Sequence, residues 1–326
     1  MLGILAGVAI AFAPAIDVST NVYASTYGIL RAEAEKPDAP AGPFADGIGK
    51  IKAIEATFPD HIKQRSGGDL ANDRERTNAL YWRAIDAIVY ASDSVDELKA
   101  SEAKLPDKFG GYLDPKATIE AVAAAIQPAL DAKTTESNDL YKNVQADLDY
   151  WKSTVEPKIG SVLDGAASKF NLDISRKRLH ILLVPEMGGK EGLTVRGKGG
   201  PTLVIGTGKF LKSDFAEVLI HELLHAYDDD SKNKGFFADL RHSILNNGQK
   251  SEEGERYVHA CIIVSAGILT RSNIDASHID VGDAYGSQSN AITKARDSVT
   301  QPMRDFFDGR ADATTVINTI TATAKA

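Results

Sequence analysis

The apolar residues of this chain change period part-way along it. Between residues 69 and 105 they recur three and four apart, at Leu80, Ala84, Ile85, Ile88, Val89 and Leu98, which is the spacing of a helix with one buried face. Residues 117–132 and 137–170 continue the pattern, with breaks expected near Pro128, Pro157 and Gly160. Trp82, Tyr90, Tyr141 and Trp151 read as packing residues between these helices. From residue 178 the signal shortens. Leu179 to Val184 is an apolar run closed by Pro185, and residues 192–196 and 201–208 are two more short runs, so three strands are expected. Helical spacing then returns in residues 213–226, 234–248 and 251–269. Residues 275–286 are polar and loop-like, and 287–307 and 311–323 read as helices.

This pattern divides the chain into an apolar N-terminal segment (1–32), a Pro/Ala/Gly-rich linker (33–49), a helical region (50–170) and a second domain (171–326). Residues 1–16 are nearly all apolar and carry small-residue steps around Pro14, which fits the core and cleavage site of a signal peptide. No Lys or Arg precedes them, and the run is short for a membrane span. An exported location therefore fits slightly better than a cytoplasmic one, and membrane contact is expected only through residues 1–16. The chain has 326 residues, an ordinary 43% hydrophobic content and a net charge of −8. With no basic stripe, nucleic acid is not an expected partner. Cys261 is the single cysteine, so no intramolecular disulfide forms, and its apolar helix argues for an inert buried thiol.

The chemistry concentrates at His221-Glu222-Leu223-Leu224-His225. Histidines four apart lie one above the other on a helix, so both imidazoles can reach one ion while the glutamate between them faces a bound water. Ser213 and Asp214 supply a helix start, and Leu219, Leu223 and Ala226 form an apolar stripe beside the histidines. A hydrolytic zinc ion takes three protein ligands and leaves a fourth position for water. The next acidic cluster, Glu252-Glu253-Gly254-Glu255, opens the 251–269 helix. Glu253 shares a face there with Tyr257, Ala260, Cys261 and Val264, and a carboxylate aimed at a core needs a compensating partner.

The H-E-x-x-H segment, followed on a later helix by Glu253-Gly254, resembles the gluzincin branch of the zincin metallopeptidases, over residues 180–269. The resemblance implies an α+β fold that is mainly helical, with a small mixed or antiparallel sheet preceding the active-site helix and a helical N-terminal half. It implies one Zn2+ per chain held by His221, His225 and Glu253, with Glu252 or Glu255 as alternatives to Glu253, and an extended substrate paired to the strand at residues 203–206. Three departures stand against it. The gap from His225 to Glu253 is long. Tyr257 occupies the position where many gluzincins carry an aspartate, so the carboxylate orienting a histidine would be Asp228 or Asp229. Residues 282–286, Gly-Asp-Ala-Tyr-Gly, faintly resemble the aspartate-ligand zincins instead.

On this reading the chain hydrolyses peptide bonds, most simply as an endopeptidase, and its partner is a protein or peptide substrate. Glu222 is the general base, and Tyr257, His259, His242 and Tyr285 are the candidates to steady the developing oxyanion, with Tyr257 and His259 preferred. Simpler roles compete: His259 can pair with Glu255 one turn before it, His242 can be a surface residue, and His180 can be a satisfied strand histidine. His61 and His278 carry no supporting context. Two other functions remain open, a non-catalytic binding module stapled by metal on the same fold and a helical interaction protein without metal.

Overall fold

The computed structural model describes residues 16–36, 42–58, 74–101, 114–172, 179–187, 192–197, 200–208, 210–230, 234–281 and 290–324. The architecture is α+β, mainly helical around one small mixed sheet. The strands are β1 (Ile16–Ser19), β2 (Leu179–Val184), β3 (Gly192–Gly197) and β4 (Gly200–Gly206), in the order β1-β2-β4-β3. β1 and β4 both run parallel to β2, and β3 returns antiparallel to β4 as a hairpin.

The sheet separates two helical layers, because successive strand residues point to opposite faces. Leu182, Val184, Leu193, Val195 and Val204 face a core built by α1 (Val22–Ala34), α2 (Ala45–Ala56), α3 (Arg74–Val89), α4 (Val95–Lys99) and α5 (Pro115–Asp131). Val18, Ile181, Leu183, Leu203 and Ile205 face the other core. A short turn of helix, α6 (Thr134–Ser137), leads into that second layer. It comprises α7 (Asp139–Tyr150), α8 (Glu156–Phe170), α9 (Ser213–Asp230), α10 (Phe236–Asn246), α11 (Ser251–Asn273), α12 (Asn290–Phe307) and α13 (Ala313–Ala324).

Several boundaries differ from those expected. Residues 16–34 supply an edge strand and the helix α1, in which every residue from Tyr23 to Ala32 is buried. A helix buried on every side lacks the one-sided stripe that marks a core helix in a sequence, so α1 was not set apart within the apolar segment 1–32. The expected linker 33–49 overlaps the end of α1 and the first turns of α2. The break expected at Pro157 is a π turn, Trp151–Val155, that joins α7 to α8: the Glu156 N–H donates to the Trp151 carbonyl, just before the proline that has no N–H to give. Pro128 sits in the last turn of α5 without ending it. Among the described residues no helix is long and apolar enough to cross a membrane.

Candidate metal centre

α9 is held by its apolar residues. Phe215, Val218, Leu219, Ile220, Leu223, Leu224 and Tyr227 are all essentially inaccessible. That burial fixes the helix rotation and turns His221 and His225 toward α11. The two ring centroids are 4.7 Å apart. A third imidazole meets them from α11: His259 lies 5.2 Å from His221 and 5.0 Å from His225, centroid to centroid. One ring nitrogen from each of the three falls within 4.8 Å of the others, so this group can hold a metal ion.

Electrostatics suit that role. Burial, with repulsion from His225 and His259, drives the His221 pKa well below that of a free imidazole. His225 is pushed down to about 3 by burial, with His259 and the Arg241 guanidinium adding to the effect. Burial also lowers His259. All three are neutral at physiological pH, the form in which imidazole binds metal, so no proton has to be displaced. Glu222 stands beside the trio, its Oε1 3.9 Å from Nε2 of His221.

The glutamate's place depends on a glycine. Gly192, at the start of β3, pairs with Ile205 on the α9 side of the sheet. A Cβ at Gly192 would fall within 2.5 Å of the Glu222 carboxylate, so only a residue without a side chain leaves that space open. β3 is the edge strand, whereas β4 is paired on both sides. The expectation that residues 203–206 receive a substrate strand is therefore corrected: that strand has no free edge, and the one beside Glu222 belongs to β3.

Glu253 does not join the histidines. Its carboxylate receives a 2.5 Å hydrogen bond from Nη1 of Arg256, and among the described residues the group at His221 and His225 is completed by His259. Helix geometry explains the difference. Glu253 and Tyr257 share one face of α11, but Tyr257 and His259, two residues apart, are separated by about 200°. Tyr257 is buried and lies beside Ser298 of α12, so it too points away from the centre. Its preferred role near an oxyanion is corrected on the same ground. Glu252 is exposed. Glu255 does not pair with His259 but accepts from Nε of Arg241 at 2.9 Å with both oxygens.

Asp228, expected to orient a histidine, instead accepts from Nη1 of Arg241 at 3.0 Å and Nη2 at 2.5 Å. Arg241 on α10 thereby ties the end of α9 to α11, just beyond His225. The Asp229 side chain, residues 282–286 with Tyr285, and His61 lie outside the described residues. His242 is exposed, and His180 on β2 faces its strand partner Asp17 at 3.4 Å. Cys261 is buried, which raises its thiol pKa and keeps it protonated.

Two residues that sequence reasoning passed over are central to a second group. Glu217, one turn before His221, is fully buried and meets His278. A carboxylate inside the run Phe215-Ala216-Glu217-Val218-Leu219 was the signal, since a charge amid apolar residues needs a partner. No family model, no curated protein and no solved structure matches this chain.

Proposed function

We propose that this chain is a zinc-dependent hydrolase of peptide bonds, with the ion held by His221, His225 and His259 and with Glu222 as the general base. The observation that carries the reading is the carboxylate of Glu222 beside three neutral imidazoles drawn from two helices. A purely structural ion is normally enclosed by four protein ligands and has no use for such a carboxylate.

Three nitrogen ligands fit zinc, whose catalytic sites commonly use three protein ligands, including three histidines. Bound there, zinc would supply Lewis acidity, bringing the acidity of water toward neutral pH and polarising a carbonyl. The chain's own residues supply the rest. Glu222 takes a proton from the attacking water and returns it to the departing amine. The imidazoles remain neutral, so they offer no competing acid. A peptide is favoured as substrate by the position of β3, whose outer side no strand pairs among the described residues. An extended backbone laid along β3 would add a strand there and bring its carbonyl past Gly192 to Glu222. By this argument His259 is a ligand rather than an oxyanion donor.

The test is a peptide-library digest with wild type, Glu222→Gln and chelator-treated protein, alongside zinc content. The proposal expects cleavage by the wild type, loss of about 10²-fold or more in Glu222→Gln with zinc retained, and loss on chelation. Cleavage that survives both treatments overturns it. Zinc binding without cleavage by the wild type would return the chain to a metal-stapled binding module.

A further inference from the structure

The first turns of α9 carry a second convergence of metal-capable side chains. The fully buried Glu217 carboxylate meets Nε2 of His278 and accepts from the Val281 N–H at 2.9 Å. Asp280 completes the group: one ligand atom from each of Glu217, His278 and Asp280 lies within 4.8 Å of the others. On the other side of the same imidazole, Asp214 Oδ1 stands 3.7 Å from Nδ1, which is buried and makes no hydrogen bond among the described residues. Three carboxylates therefore surround one imidazole. Among the described residues Arg271 pairs with Asp280, at 3.0 Å, from a half-exposed position.

The backbone is shaped to admit Asp280. Its carboxylate rests on Gly267 of α11, where a Cβ would lie 2.7 Å from Oδ1. Without that glycine the aspartate could not approach the buried pair.

We propose that Glu217, His278 and Asp280 form a second cation site, suited to a divalent transition ion that accepts mixed nitrogen and carboxylate ligands, such as Zn2+ or Mn2+. The ion takes the place of the contact between His278 and Glu217 and offsets the charge of the buried Glu217 carboxylate. It ties the segment after α11 to the start of α9. Glu217 and His221 are separated by one turn, about 6 Å along the helix axis, whereas paired catalytic ions sit about 3.5–4 Å apart. The second ion is accordingly no member of a paired catalytic centre with the first, and its existence does not depend on the hydrolase reading.

The test is equilibrium dialysis of the full chain against Zn2+ alone and, separately, Mn2+ alone, with metal content read by mass spectrometry and folding by circular dichroism. Wild type is expected to retain two Zn2+ ions, and Asp280→Ala, Gly267→Ala and His259→Ala one each. Gly267→Ala changes no ligand, and Asp280 is exposed, so both variants keep the fold while removing the site. Two retained ions in both Asp280→Ala and Gly267→Ala would overturn the proposal. So would a single wild-type ion that is lost in His259→Ala and kept in Asp280→Ala, an outcome that leaves the hydrolase reading standing. A single ion lost in Asp280→Ala and kept in His259→Ala would support this site and overturn the histidine centre.

Discussion

Replacing Gly192 with alanine tests the proposed mechanism without touching a ligand or the base itself. The added methyl carbon would sit within 2.5 Å of the carboxyl carbon and both oxygens of Glu222. Non-bonded carbon atoms settle at about 3.5–4.0 Å, so one partner must give way by about 1.5 Å. β3 cannot do so cheaply. Gly192 is registered with Ile205, and the adjoining Leu193 and Val195 are buried in the opposite core. Nor does the backbone resist the change, since Gly192 is not among the glycines with positive φ. The displacement falls on the Glu222 side chain.

A misplacement of about 1 Å costs on the order of 10²-fold in rate, equivalent to about 2.7 kcal/mol of barrier at 1.36 kcal/mol per decade. Gly192→Ala should therefore lower kcat/KM about 100-fold on the best peptide from the library digest, with zinc content and the melting temperature near those of the wild type. Gly165→Ala is the control. That glycine is exposed on α8, and an added Cβ there would meet nothing within 4 Å, so activity should be unchanged. Full activity in Gly192→Ala, together with an inactive Glu222→Gln, would refute the claim that the glycine sets the position of the base.

Two further outcomes follow from the same geometry. His259→Ala should lose the zinc ion bound at the trio in dialysis, whereas Glu253→Gln should keep it; the reverse result would restore Glu253 as the third ligand. Asp147 on α7 is buried, and burial raises its carboxyl pKa from 3.8 to about 7. Because the folded-state pKa is raised, the stabilising contribution is complete below pH 3.8 and is lost as pH climbs to about 7. At 1.36 kcal/mol per unit, that is at most about 4 kcal/mol. Urea titrations across this range should show Asp147→Asn with a flatter pH dependence than wild type and a relative gain at pH 8; an unchanged slope would dismiss the assignment.

How much of this was legible beforehand depends on how each element is buried. The strands at 179–184, 192–197 and 200–206 and the α9 helix stood out because a change of period marks them. The rotation of α9 was legible as well, since the two histidines fall beside its apolar stripe. The third histidine was not. α11 is buried from Tyr257 to Val258 and from Ala260 to Gly267, packed between α9, α10 and α12, so no single stripe shows which side meets α9. Reading Tyr257, Ala260, Cys261 and Val264 as an inward face agrees with their burial, whereas Glu253, placed on the same face, stays partly exposed and pairs with Arg256. Tyr257 lies beside Ser298 of α12. α1 was missed for the same reason: continuous burial erases the periodicity by which helices are recognised. β1 was missed because it is a four-residue edge strand with one buried position, too short to show an alternation.

On the proposed reading, the charges around the trio suit a histidine as its third member, and a carboxylate there would change the chemistry. Arg241 lies close enough to His225 to depress its proton affinity, so an unneutralised guanidinium would also repel a divalent ion. Asp228 and Glu255 both bind that guanidinium. They consume its charge and are themselves kept from the metal. Three neutral imidazoles then leave an ion its full double charge, with Glu222 as the nearby anion that ion can make useful. A Glu ligand from α11 would cancel half of that charge and weaken the polarisation on which hydrolysis depends. The arrangement of Arg241 between two acids is thus part of the proposed chemistry, although Arg241 touches none of the reacting atoms.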